Sequence, residues 1–264
     1  MTRFCCDQYT AKQAQLASPP FQLEINYSSV LCGRPEAEGV RLRAGDTVVD
    51  VGANVGLFTL QAADIVGPQG QVVAVEPSPD AHTALLENLA TYADLNVQAG
   101  SAKVAAVQAA AGSTPKDAIN LVTYSQSSGW STVYPDEQEV QEGMRMFLNN
   151  ALPSMQGIEN NLLSQGARVL RLLTPRPLYE AVWRLYVGNM LAQKEIVQCQ
   201  QRTLSDIIAE HGIKTIDLLK IDVERAELDV LAGLSPENWS SIRQLVMEMN
   251  GNVGHIYIRF TLMI

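Results

Sequence analysis

The chain has 264 residues, 47% apolar and 18% charged, the balance of a globular protein with one natural domain and room for an insertion. A formal net charge of −9 argues against a general nucleic-acid binder, whose surface would carry a basic field. No apolar stretch reaches membrane-spanning length and residues 1–20 lack the apolar segment of a secretory leader, so the expected location is the cytoplasm or another intracellular compartment.

Residues 1–45 read as an N-terminal extension with one strand, Phe21 to Tyr27, ahead of a main domain over 46–264. From Thr47 the chain alternates strand and helix. The first strand is 47–51, followed by a helix to about Ile65 and the turn Gly67-Pro68-Gln69-Gly70. The second strand is 71–75, and Ser78-Pro79-Asp80 opens a helix with Leu85, Leu86 and Leu89 on one face. A third apolar run, Val104 to Ala111, ends at Gly112, and a hairpin-like region follows from Ile119 to Tyr134. Alternation of this kind predicts right-handed βαβ units and a mostly parallel sheet with helices on both faces.

Residues 136–198 interrupt that rhythm with two stretches of helical spacing, read as a helical insertion. It carries Arg168, Arg171, Arg176, Arg184 and Lys194 against Glu180 and Glu195, a basic element in an acidic protein. It reads either as a solvated helix face or as a lid that attracts an anionic acceptor, a partner or a membrane surface. The pattern resumes at Thr203, which with Asp206 suggests a capping arrangement, and Gly212 closes that helix. A fourth strand spans Ile216 to Asp222, a helix Glu224 to Gly233, and a fifth strand Ile242 to Met247. The residues after Glu248 offer one edge strand but hardly a helix and two strands, so the sheet is expected to be incomplete at its C-terminal edge.

The chemistry concentrates where the first strand ends. Asp50-Val51-Gly52-Ala53-Asn54-Val55-Gly56 turns a buried strand through glycines into a helix whose unpaired N–H groups favour a carboxylate or phosphate. Glu76 ends the second strand, where it is placed to accept hydrogen bonds from two ribose hydroxyls. A dinucleotide site wants G-x-G-x-x-G, and counting from Gly52 the chain has Asn54 and Leu57 at the other two glycine positions. A cofactor with an adenosine and a carboxylate but no pyrophosphate fits better, which is S-adenosyl-L-methionine (SAM). An NAD-dependent oxidoreductase is the disfavoured alternative. Cys5, Cys6, Cys32 and Cys199 have no zinc-ligand spacing, His82, His211 and His255 are scattered, and no metal site is expected.

Over roughly 46–250 the sequence resembles the FkbM-type SAM-dependent methyltransferases. The resemblance rests on D-V-G-A-N-x-G at Asp50–Gly56, V-E-P-x-P at Val75–Pro79, Thr203-Leu204, and IDLLKIDVERAELDVL at Ile216–Leu231. It implies an α/β, Rossmann-like class I methyltransferase fold, and O-methylation of a hydroxyl on a small molecule or sugar. Asp50, Gly52, Ala53, Asn54, Gly56 and Glu76 would then hold the cofactor, with Ala110 beside its adenine.

Lys220, Asp222 and Glu224 fall on one side of the fourth strand, next to the first. Asp222 or Glu224 is the candidate base for the acceptor proton, or instead holds cofactor or substrate, while Lys220 is a candidate site residue or an ion-pair partner of Asp222. Asp217 reads as a surface residue. The family motif has glycine where this chain has Arg225, a departure that also suits a SAM-binding protein with impaired turnover.

Overall fold

The computed structural model describes residues 41–95, 102–124, 131–134, 185, 188, 193–248 and 255–259. The sheet is built on β1 (Thr47–Val51), β2 (Gln71–Val75) and β3 (Lys103–Val107), linked by helices α1 (Leu57–Val66) and α2 (Pro79–Leu95). After a second, smaller sheet and α3 (Leu204–Glu210), the chain returns to the other side of β1 as β7 (Leu218–Ile221). Helices α4 (Glu227–Ala232) and α5 (Pro236–Ser241) lead to β8 (Gln244–Glu248), and β9 (His255–Arg259) closes the edge antiparallel. The six strands run in the order β3-β2-β1-β7-β8-β9, all parallel except β9.

Strand alternation sorts the apolar residues onto two faces. Val49, Val51, Val73, Val75, Leu219 and Ile221 pack with Leu204, Ile207 and Ile208 of α3 and Val230 of α4. Val48, Val72 and Leu218 face the other way, against Phe58, Ala62, Ala63 and Val66 of α1. The expected mostly parallel sheet with helices on both faces is what forms. Asp50 and Lys220 share the parity of Val48 and Leu218, so both charges enter the interior on the α1 side.

Several expectations need correction. The apolar run 104–111 is not one strand: β3 stops at Val107, and Ala110–Ala111 form β4, which joins β5 (Lys116–Tyr124) and β6 (Lys194–Arg202) in the second sheet. The first half is partly buried and the second buried, and apolarity that runs almost unbroken through both hid the crossing between sheets. The hairpin-like reading of 119–134 survives only as an isolated Val122–Thr132 bridge, because the long antiparallel partner of β5 is β6.

Residues 194–198, assigned to the helical insertion, are strand instead. In β6 every second residue turns inward, with Cys199 and Gln201 buried, and a polar Gln201 in that row masked the period of two. The rest of the insertion lies outside the described residues, apart from helical backbone at 185 and 188 and a turn residue at 193, as do the predicted strand at Phe21–Tyr27 and the basic residues Arg168 to Arg184.

On α2 the inward row is Ala81, Leu85 and Asn88, while Leu86 is half exposed. The predicted helix from Glu224 begins only at Glu227, leaving 224–226 as a turn. Asp217 is buried rather than at the surface. Its carboxylate accepts the Thr47 N–H at 2.8 Å and pairs with Arg243 at 2.5 Å, satisfying backbone where β1 and β7 begin.

Candidate active site

The order of the sheet reverses between β1 and β7, so their carboxyl ends open a crevice, the usual ligand position in an open α/β sheet. Four of the predicted cofactor residues form the loop after β1, and that loop hangs from the end of β2. The Gly52 and Ala53 N–H groups both donate to the Val75 carbonyl, at 2.9 and 3.1 Å. The Asn54 N–H donates to Glu76 Oε2 at 2.8 Å, from a left-handed backbone with φ 49°. The Gly56 N–H turns back to Ala53. These four amides are spent on the loop itself, ahead of the first turn of α1.

Both glycines also answer to internal crowding. Gly52 has φ 81°, and a Cβ there would stand 2.0 Å from the Asp222 carbonyl oxygen. Gly56 has φ 88°, and its Cβ would meet Leu85 at 2.4 Å. The first glycine therefore lets β1 and the end of β7 close on each other, and the second seats α1 against α2. Asn88 adds a third tie: buried at 1% exposure, it donates through Nδ2 to the Val55 carbonyl at 2.9 Å.

Glu76 is 6% exposed, and its carboxylate accepts N–H groups from Asn54 and Ser78, at 2.8 and 2.9 Å. Burial pushes its pKa up to about 7, against those two hydrogen bonds, which pull down; the nearby Asp50 charge pushes up and Lys220 pulls down. Two accepted bonds leave lone-pair capacity on a carboxylate that has four acceptor positions.

Beneath the loop runs a chain of charges. Lys220 Nζ lies 3.1 Å from Asp50 Oδ1 and 3.0 Å from Asp222 Oδ2, and 5.2 Å from the centre of the Phe58 ring. Asp50 is fully buried and also accepts the Thr59 hydroxyl at 2.6 Å. Its surroundings make it an anchor under the loop. Of the three charged groups, Asp222 alone keeps appreciable access, with 22% of its side chain exposed. The ion-pair reading of Lys220 is therefore realised, and it reaches two carboxylates rather than one.

The remaining predicted residues fall further out. Ala110 is buried in a small cluster with Leu121 and Cys199 on the second sheet. That cluster lies close enough to Glu76 for its charge to help raise the Cys199 thiol pKa, after burial, which is the larger cause. Glu224 sits in the turn beyond β7, where its carbonyl accepts the Thr132 hydroxyl at 2.8 Å. Sequence reasoning gave no role to Thr59, Asn88 or Glu227. Glu227 is buried and accepts the Arg225 N–H at 3.2 Å; burial raises its pKa most, and the Asp222 charge adds to that. Its place in the A-E pair of the motif was the available signal.

A parallel sheet of this order, with a glycine turn after the central strand and an acid ending its neighbour, defines a Rossmann-like methyltransferase fold. A family model described as the methyltransferase FkbM domain matches residues 178–261. The 31-O-demethyl-FK506 methyltransferase FkbM of Streptomyces tacrolimicus is 33% identical over 216 residues, 80% of this chain and 68% of that protein. The AMB antimetabolite synthetase AmbE of Pseudomonas aeruginosa is 32% identical over 218 residues, 81% of this chain and 9% of that protein. Methyltransferase sdnD of Sordaria araneosa is 29% identical over 211 residues, 76% of this chain and 65% of that protein. The chain belongs to the FkbM methyltransferase family. It spans a small part of the synthetase and about two thirds of the other two relatives. Among the described residues no helix is long and apolar enough to cross a membrane, and no group of three metal-ligating side chains occurs.

Proposed function

We propose that this chain transfers a methyl group from SAM to a hydroxyl of a small molecule or sugar. The observation that carries the cofactor reading is Glu76: a buried acid at the end of β2 with acceptor capacity left, beside a loop whose amides at 52, 53, 54 and 56 are already bonded. Such an acceptor suits ribose hydroxyls, which donate, better than a pyrophosphate, which needs donors. When bound, SAM supplies a methyl group already activated on a sulfonium. The chain's own work is to hold, orient and deprotonate.

In this reading Glu76 accepts the ribose hydroxyls, the Gly52–Gly56 loop wraps the methionine part, and Ala110 leaves room for the adenine. Asp50 and Lys220 hold the loop and Asp222 in place from beneath. Asp222 takes the acceptor proton, since it is the exposed member of the charged chain; Glu224, at the outer turn, orients the acceptor. The hydroxyl as acceptor is supported by the Streptomyces relative, whose name specifies a 31-O-demethyl compound.

Thermal-shift measurements with SAM, S-adenosylhomocysteine and NAD test the cofactor, because a ligand of the native state raises stability. A rise with the first two is expected, and a rise with NAD alone would overturn the reading. Transfer of labelled methyl to a panel of sugars and phenols tests the acceptor class; label appearing only on amines or thiols would sink the hydroxyl assignment. Arg225 at a glycine position favours one second reading, a SAM-binding protein without turnover. Binding with no transfer to any acceptor would establish that one.

A further inference from the structure

Arg225 has φ 71°, the left-handed backbone that a glycine takes without strain, and Asn54 is the one other non-glycine described residue with positive φ. Strain of this kind persists where the surroundings over-determine it. Here they do so on two sides. The Arg225 N–H is held by Glu227 Oε1 at 3.2 Å, and its guanidinium donates to the Tyr134 carbonyl at 2.8 Å, across 91 positions of chain.

The segment it reaches is itself tightly tied. Thr132 is 2% exposed and exchanges both backbone hydrogen bonds with Val122, at 2.9 Å each. Its hydroxyl donates to the Glu224 carbonyl at 2.8 Å and accepts the Tyr134 N–H at 3.0 Å. Asp229 of α4 lies close enough to the Tyr134 hydroxyl for its charge to help raise that group's pKa, after burial, which is the larger cause. Residues 131–134 thus lie against the turn that starts two residues beyond Asp222, fastened by the Glu224 carbonyl and the Arg225 guanidinium.

We propose that Arg225 is a positioning residue: in place of a glycine hydrogen it supplies the guanidinium that clamps residues 131–134 to the turn after β7, fixing that side of the site beside Asp222. Its importance for methyl transfer rests on the function proposed above, but the clamp itself does not. A bystander arginine and a clamp predict the same global but different local responses to Arg225→Gly. Relief of the left-handed strain makes the fold as a whole equal or more stable in both cases. Only the clamp makes one distant segment looser at the same time.

Amide hydrogen exchange on the full chain without cofactor reads both. In Arg225→Gly the amides of 131–134 are expected to exchange at least about ten-fold faster, with those of Val49 and Val73 unchanged or slower. Arg225→Lys, which keeps a donor, should return 131–134 to within about three-fold of the parent. Exchange at 131–134 that stays at the parental rate in Arg225→Gly overturns the clamp. So does acceleration spread evenly over β1 and β2, or an Arg225→Lys chain no better than Arg225→Gly. SAM affinity, measured calorimetrically, should move less than about two-fold, and a loss beyond about ten-fold would make Arg225 a cofactor ligand instead. A parent that fails to bind SAM yet shows the exchange pattern sinks the proposed function and leaves the clamp standing.

Discussion

Replacing Glu76 by glutamine tests the site's electrostatics directly. Its pKa is raised from an ordinary 4.5 to about 7, chiefly by burial. The native state therefore binds this proton more tightly than the unfolded chain. The associated stability is complete below about pH 4.5 and is lost as pH climbs through 7. A displacement of this size corresponds to roughly 3 kcal/mol between the two ends of that window. Glutamine does not titrate, so the parent-minus-variant difference in unfolding free energy should fall by about that amount from pH 4.5 to pH 8.

Urea denaturation of both chains across that range measures it. A difference that stays flat with pH would refute the upward displacement of the Glu76 pKa. The same proton links to the proposed cofactor. Ribose hydroxyls donate and so favour the carboxylate, which means SAM affinity should rise with pH up to about 7 and level off above it. Glu76→Gln should lose about ten-fold or more in SAM affinity at pH 8 and show no such pH dependence.

Three further outcomes follow from neighbouring contacts. Lys220→Met strands the fully buried Asp50 and the adjacent Asp222, and should cost about 3–5 kcal/mol of unfolding free energy at pH 7; a loss below about 1 kcal/mol would show that the two acids find other partners. Gly52→Ala forces a Cβ to within 2.0 Å of the Asp222 carbonyl at φ 81°, and should destabilise by more than about 2 kcal/mol or prevent folding, read by circular dichroism melting. Asp222→Asn should leave the fold intact and lower methyl transfer about 10²–10⁴-fold; full activity would leave Asp222 as an ion-pair member only.

The central sheet was legible because its signals are redundant. Valine-rich strands such as 47–51 and 71–75 carry their own propensity, turn residues mark their ends, and their register follows from burial on both faces. The second sheet was not. It joins Ala110–Ala111 to a strand more than eighty residues later, and its inward row contains Gln201, whose amide donates to the Thr114 carbonyl at 2.8 Å. A buried polar residue with a backbone partner is as good a core element as an apolar one. A pattern of hydrophobicity does not register it. The same blindness placed Leu86 on the inner row of α2 in place of Asn88, whose inward turn is explained by one bond to the Val55 carbonyl.

At the site, residue types were more informative than the reasons first attached to them. Gly52 and Gly56 are needed, yet what crowds them is Asp222 and Leu85, so the glycines report how closely the chain packs on itself. Asp50, fully buried, belongs to the site through its bonds to Lys220 and Thr59. Arg225 shows the limit of both kinds of evidence. Sequence marks it as a departure from glycine, with strain as the expected consequence, and the backbone does keep the glycine conformation. What sequence had no means of carrying is the Tyr134 carbonyl 91 positions away. A strained residue with a distant partner is a different object from a strained residue without one. The first exchanges local backbone cost for long-range order, and that trade is visible only when both ends are in place.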